Sequence, residues 1–380
     1  MCRLVQLIIL LFPVCASCAV EHTPSWPLWD GRESVEQYAK RTNLPPAKTL
    51  DLGNGVNLEV VLIPAGKFIM GTPEPKPVDE VGFARNIIVF IILFATSGFG
   101  LLGFVYVIVG RARLLRRPIQ YSLGQLMAMM LALAMMLGGA IHWWLTEQVH
   151  GAARREYSAA WDRYSISDDD ERPAHEVTLT RPFYMAKFLT TQEQYQQVMT
   201  RNPSNFKGAN LPVERVSWDD AQEFCKKVSE RTAGVSPAQT GAGGTPAVRL
   251  PTEAEWEFAC RAGTTTTYYT GDAETDLGRA AWYDANSGGT THPVGQKDPN
   301  AFGLHDMHGN VLEWVQDYYA GKYYADSPPI DPKSPASGGV RVLRGGGLVY
   351  DPYNCRAARR GYGDPDGPDT YCGFRCALDF

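Results

Sequence analysis

The chain has 380 residues, which as a soft prior holds one large domain with additions, or two domains. Hydrophobic content of 44% and charged content of 20% are ordinary for a folded globule, while 37 Gly and 26 Pro favour long loops and short strands over helical bundles. A net charge of −5 leaves no electrostatic footprint for nucleic acid, so that partner class is excluded at the outset.

The first residues, MCRLVQLIILLFPVCASCAV, place one Arg before an apolar run that ends in small residues. This is the layout of a secretory signal over residues 1–19, too short for a span, with cleavage after Ala19. Lipid attachment at Cys18 is the rival reading, although Cys15 stands where an aliphatic residue is usual. Residues 20–55 follow as an N-terminal exported segment. From Val56 to Pro75 the sequence VNLEVVLIPAGKFIMGTPEP alternates apolar residues and ends in a Gly-Thr-Pro turn, which predicts first strands within 56–80.

A transmembrane hairpin is expected over 81–146. Ile87–Val109 is a run of about 23 residues without a charge, and Ser122–Leu145 one of about 24 with only Gln125 and His142 polar; both exceed the ~20 needed to span. Between them stand Arg111, Arg113, Arg116 and Arg117, which hold a short loop in the cytoplasm, and Trp143 and Trp144 close the second run as an interfacial belt does. A buried hairpin in a soluble core would have no use for four Arg at its turn. The membrane is therefore an expected partner, and both flanks of the hairpin are expected on the extracytoplasmic face. A polar, helical connector over 147–170 then leads to the body of the domain, 171–380.

Three capping boxes mark helix starts in the body: Thr190 with Glu193, Ser217 with Asp220, and Thr252 with Glu255. The second helix is predicted to run to Gly234 and the third to Gly263, separated by a small-residue loop, TAGVSPAQTGAGGTPA. Short strands and turns follow from Thr264. Asp306, Asn310 and Glu313 set three oxygen-bearing side chains around Gly309, a composition suited to a hard cation, though not at EF-hand spacing. The plain alternative is that Asp306 caps a turn and Glu313 pairs with an arginine. His305 and His308 are read as loop residues rather than ligands. Arg249, Arg344, Arg356, Arg359 and Arg375 are read as ion-pair and stacking partners near Trp256 and Trp314, with binding of a peptide or anion as the alternative. Cys225, Cys260, Cys355, Cys372 and Cys376 are disulfide candidates if the domain is exported.

The ordered motifs PAGKFIMG, PAHEVTL, VSWDDAQEFC, RLPTEAEWEFACRAG, NAFGLHDMHGNVLEW, RVLRGGG, NCRAAR and GFRC resemble the formylglycine-generating-enzyme, or sulfatase-modifying-factor, family over Val56–Pro75 and Pro173–Phe380. The resemblance implies an α+β, C-type-lectin-like fold of irregular mixed α/β structure, here interrupted by the membrane hairpin. It implies calcium held by Asp306 and Glu313 with carbonyls of Gly309 and Val311, and a second calcium site beginning at Asn286. It implies disulfides Cys225–Cys376 and, by extension, Cys260–Cys355, leaving Cys372 over. The family's oxidase binds copper through two cysteines with four residues between them, after a motif like Arg344-Gly345-Gly346-Gly347. Here only Cys355 follows that motif, at its far end, so a soft copper ion lacks its bis-thiolate and copper is not expected. Cys355 with Cys372 is the alternative redox or copper pair. The expected function is a membrane-anchored extracytoplasmic member acting as a binding or envelope-associated module toward an exported protein or peptide. The rival is a formylglycine-generating oxidase with a variant site.

Overall fold

The computed structural model describes residues 26–75, 158, 165, 167–232, 247–333, 335–367 and 370–379. The expected signal (1–19), both apolar runs and nearly all of the expected connector lie outside the described residues. Among those described, no helix is long and apolar enough to cross a membrane.

The domain begins earlier than the motifs indicate, because residues before 56 are part of its main sheet. Helix α1 (Val35–Thr42) opens on a capping box, Ser34 with Gln37, and closes on Asn43 in the left-handed region. Strands β1 (Ala47–Gly53) and β2 (Val56–Ile63) form an antiparallel hairpin. Its turn, Gly53-Asn54-Gly55, has φ of +94°, +53° and +80°, values that Gly and Asn adopt readily. After β3 (Gly66–Met70) the chain returns at β4 (His175–Leu179), which pairs with β3 in the register Met70↔His175 to Gly66↔Leu179. The strands separated by the expected hairpin do meet in space.

Strand β5 (Phe183–Ala186) leads to α2 (Gln192–Met199) and α3 (Trp218–Thr232), then β6 (Val248–Arg249). The cap of α2 is Thr191 with Gln194, one residue beyond the predicted Thr190 and Glu193. Thr190 is instead buried, its N–H donating to Phe374 O. The Ser217–Asp220 box forms as expected, and so does Thr252–Glu255, which starts α4 (Glu253–Arg261). All but one residue of α4 is buried, so its carboxylates Glu253 and Glu257 require partners inside the protein. The remainder is α5 (Glu274–Ala280), β7 (Ala281–Trp282), β8 (His308–Gly309), β9 (Leu312–Tyr318), α6 (Tyr323–Asp326), β10 (Arg341–Arg344), β11 (Gly361–Gly363), β12 (Cys372–Gly373) and β13 (Ala377–Leu378).

The main sheet runs β1-β2-β5-β13-β6 and a second runs β11-β10-β9-β12; two-stranded pairs β3-β4 and β7-β8 complete the set. The last strand of the chain is thus internal to the main sheet, between β5 and β6. Leu58, Val60 and Leu62 of β2, Phe224 and Val228 of α3, and Phe374 bury the core, where Tyr195 and Phe224 stack at 5.8 Å and Phe374 meets Phe224 edge-on at 5.2 Å.

Arginine–carboxylate pairs tie the layers together. Arg344, fully buried, donates to Glu257 Oε2 at 2.5 Å and to the carbonyls of Ala357, Ala358 and Arg359 at 2.8–2.9 Å, with its guanidinium 5.1 Å from the Trp256 ring. Arg360 holds Glu253 at 2.8 and 3.0 Å, and Arg356 holds Glu171 at 2.6 and 2.7 Å. Arg249 bridges Glu255 and Asp379. Planar two-pronged pairing satisfies buried carboxylates in a way Lys does not.

Candidate binding cleft

Strand β10 delivers Arg344 opposite Glu313 of β9, and the chain then turns through Gly345 and Gly346 with φ of +89° and +71°. Gly345 O accepts from Gly309 N at 2.8 Å, and Leu348 N donates to Asn310 O at 3.1 Å, so the glycine loop is pinned to β8 and the loop after it. A Cβ on Gly346 would stand 2.6 Å from Cys355 Sγ and 2.8 Å from Asn354 O, a closeness only glycine permits. Asp351 then caps a 3-10 turn, Pro352–Cys355.

The opposite wall is a second 3-10 turn, Asp169–Glu171, at the end of the expected connector. Asp168 pairs with Arg359 at 2.5 Å and accepts from the Tyr353 hydroxyl. Asp170 Oδ2 accepts from the Tyr319 hydroxyl at 2.7 Å, and Asp170 O from Arg360 at 2.9 Å. Between the walls lies a cleft of about 480 Å³, lined also by Leu312, Tyr350 and Tyr362. Burial raises the Asp170 carboxyl above its ordinary range. Asp168, Asp170 and Glu171 bring one oxygen each within 4.8 Å of one another, but Arg359 and Arg356 already neutralise two of the three.

Cys355 is buried beneath Gly346, and burial pushes its thiol up to about 12. A thiol so placed is neither a ready nucleophile nor a ready metal ligand. Tyr350 occupies the position where four intervening residues would put a second cysteine. Cys372 lies in β12 within the main core, whereas Cys355 packs in a second cluster with Tyr268 and Tyr283, and no disulfide joins them.

No disulfide joins the five cysteines of the described residues in this structure. Cys225 and Cys376 do face each other, sulfur to sulfur, at 3.8 Å. The Cys260–Cys355 link is not made: Cys260 Sγ is turned to His308 Nε2 at 3.8 Å and to Met307 O. His308 is not a loop residue either. It lies fully buried in β8, accepts from Tyr269 N at 3.2 Å, and burial drops its imidazole to about 3, which keeps it neutral. His305 stays in a loop, its Nδ1 2.9 Å from Lys297 O.

The residues expected to hold calcium are arranged around an arginine. Both oxygens of Glu313 are taken by Arg375, at 2.6 and 3.0 Å, and Arg375 also donates to the carbonyls of His305 and Asp306. Asn286 spends its side chain on Tyr283 N and Ala281 O. Gly309 is required by packing, since a Cβ there would meet Trp282 O at 2.3 Å. Val311 is buried. Asp306 accepts from Gly295 N at 2.8 Å through Oδ2, while Oδ1 is buried without a hydrogen bond of normal geometry. Arg375 thus supplies positive charge where the resemblance implies an ion, and of the two carboxylates in the set Glu313 is committed to it while Asp306 keeps Oδ1.

Sequence reasoning missed the acidic wall and its tyrosines. The run DDDE, one residue before PAHEVTL, was the available signal. Of the five arginines, all of them in ion pairs, Arg344 and Arg359 line the cleft, while Arg249, Arg356 and Arg375 do not.

These features define a mixed α+β domain of short curled sheets with a glycine-loop cleft. The sulfatase-modifying factor enzyme 1-like domain matches residues 150–380, and the chain belongs to that family. It is 38% identical over 185 residues to the formylglycine-generating enzyme of Streptomyces coelicolor, covering 45% of this chain and 53% of that one. The chain thus spans about half the length of that relative. It is 31% identical over 240 residues to the chaperone protein LppX of Paenibacillus barcinonensis, covering 52% of this chain and 80% of the relative. Among solved structures, Treponema denticola variable protein 1 superposes with a TM-score of 0.56 at 26% identity, over 88% of this chain and 99% of that one.

Proposed function

We propose that the chain is a membrane-anchored, extracytoplasmic member of the family that binds an exported protein or peptide through the glycine-loop cleft, without copper-thiolate chemistry. The observation that carries this reading is the single, buried Cys355, with Tyr350 in place of a second thiol. A two-thiol copper site needs deprotonated, paired sulfurs, and a thiol held near 12 is protonated at neutral pH. A relative that carries the word chaperone in its name is consistent with a role in binding. Anchoring and export rest on the two apolar runs, the Arg loop between them and the signal-like N-terminus. In an oxidising compartment the facing pair Cys225 and Cys376 closes to a disulfide.

The test is co-expression with a peptide carrying the sulfatase sequence Cys-x-Pro-x-Arg, followed by mass spectrometry. No formylglycine is expected above background. Conversion that disappears in Cys355→Ser would establish the oxidase reading instead. Reporter fusions ending at Arg117 and at Asp170 should report cytoplasmic and exported positions respectively; an exported signal at Arg117 refutes the topology.

A further inference from the structure

The small β3–β4 sheet has one face turned to the core and one turned out. Register assigns the faces: Gly66↔Leu179, Phe68↔Val177 and Met70↔His175 share the inner side, while Lys67↔Thr178 and Ile69↔Glu176 share the outer. Ile330 extends the outer side through its bridge to Thr178. The result is an exposed face bearing Ile69 and Ile330, 42% and 46% accessible. Only two other large hydrophobic residues are exposed among the described residues, Val349 and Tyr362, and Tyr362 lines the cleft already described. The charges on the outer face cancel, because Lys67 and Glu176 pair at 3.0 Å. Beside β3 the face continues into a groove of about 460 Å³ lined by Trp29, Phe68 and Ile69 and by the charged Asp30, Lys67, Glu176 and Arg261, two of each sign.

The place of this face in the chain gives it an occupant. The chain leaves β3 through Thr72 and comes back through Glu171, and the two points are joined by Thr72 N to Glu171 O at 3.2 Å and Thr72 Oγ1 to Glu171 Oε2 at 2.7 Å. Both apolar runs are inserted between these stapled ends. The first begins about a dozen residues after Pro75, a tether of at most ~40 Å when fully extended. On so short a tether the local concentration of bilayer is high, and a modest apolar patch suffices to orient the domain. An aromatic-edged, charge-neutral face is also the kind that settles at a membrane interface.

We propose that this outer face, Ile69 and Ile330 with the groove at Trp29 and Phe68, lies against the lipid surface that the chain's own apolar runs enter, leaving the cleft with Tyr362 free for its ligand. The proposal rests on the membrane-anchored reading, and the test separates the two. The full chain is placed in vesicles of phosphatidylcholine and phosphatidylglycerol with the photo-reactive p-benzoylphenylalanine at position 69, 330 or 349. All three positions are exposed, and the melting temperature of each variant checks that the fold is kept. After irradiation, phospholipid adducts should be several-fold more abundant at 69 and 330 than at 349, in a chain that resists carbonate extraction. Equal yields at the three positions in a carbonate-resistant chain overturn the proposal while sparing the anchor. Adducts to protein rather than lipid at 69 and 330 also overturn it. A chain released by carbonate yet linked to lipid at 69 and 330 refutes the anchor and keeps the contact; one released and unlinked refutes both.

Discussion

Replacing Arg344 by methionine removes the centre of the buried charge network while keeping most of the side chain's bulk. Arg344 is fully buried and satisfies Glu257 together with the carbonyls of residues 357, 358 and 359. Breaking a buried pair by deleting one partner costs roughly 3–5 kcal/mol, because the remaining charge is left without compensation. Glu257 keeps Arg261 at 2.9 Å and Gly71 N at 3.0 Å, which moderates that term. Three carbonyls lose their donor, and an unsatisfied buried group costs ~1–3 kcal/mol. These terms overlap, so a total of about 5 kcal/mol is expected. At ~2–4 °C per kcal/mol for a domain of this size, the melting temperature falls by roughly 10–20 °C. Urea unfolding followed by circular dichroism measures the loss directly. Arg249→Met, at a pair whose Arg side chain is 26% accessible, should lose only about 1 kcal/mol. The double variant Arg344→Met, Glu257→Met should be less destabilised than the sum of its singles. If Arg344→Met unfolds within about 1 kcal/mol of the parent, the network is not what holds β10 to α4, and the reasoning fails.

Gly346→Ala forces a Cβ against Cys355 Sγ at a φ of +71°, and should cost about 3 kcal/mol in unfolding free energy; a neutral result would show that the glycine loop is free to shift. Asp317 is buried beside Glu253, and burial, then the Glu253 charge, lifts its carboxyl to about 7. Its folded value lies above its unfolded one, so the stability it contributes is complete below about pH 4 and is lost as pH rises toward 7. Asp317→Asn should flatten that slope, by a few kcal/mol at most, in unfolding curves taken from pH 4 to 8; identical slopes refute the assignment. With Glu313 committed to Arg375, Glu313→Gln should lose stability equally in calcium and in chelator, whereas a loss seen only in calcium would place the ion on Glu313.

How much was legible in the sequence depends on the range of the interaction. The Thr252–Glu255 cap is written within four residues, and the β3 and β4 strands carry their own alternation, so both were found despite the long insertion between them. α1 and β1 were passed over, although Ser34 with Gln37 is a capping box and Gly53-Asn54-Gly55 a hairpin turn. Long-range pairing was not legible. Arg375 has the same letter whether it faces water or closes on Glu313, and the resemblance directed Glu313 to calcium instead. The cleft escaped because its walls come from residues 168–170 and 343–362, which nothing local connects.

The stapling of Thr72 to Glu171 also sets a timetable for synthesis. β3 leaves the ribosome about a hundred residues ahead of β4, which at ~5–20 residues per second is a delay of roughly 5–20 s. For that interval the β1–β2–β3 segment has neither β5 nor β4 to cover it, and its apolar edges are open to pairing with another nascent chain. The thermodynamic cost of closing so long a loop is small, since each doubling of length adds only ~0.6 kcal/mol. The burden of the insertion is therefore kinetic: an early strand must be kept from wrong partners until its own arrives, and slowing translation after Pro75 should raise aggregation without changing the stability of the finished protein.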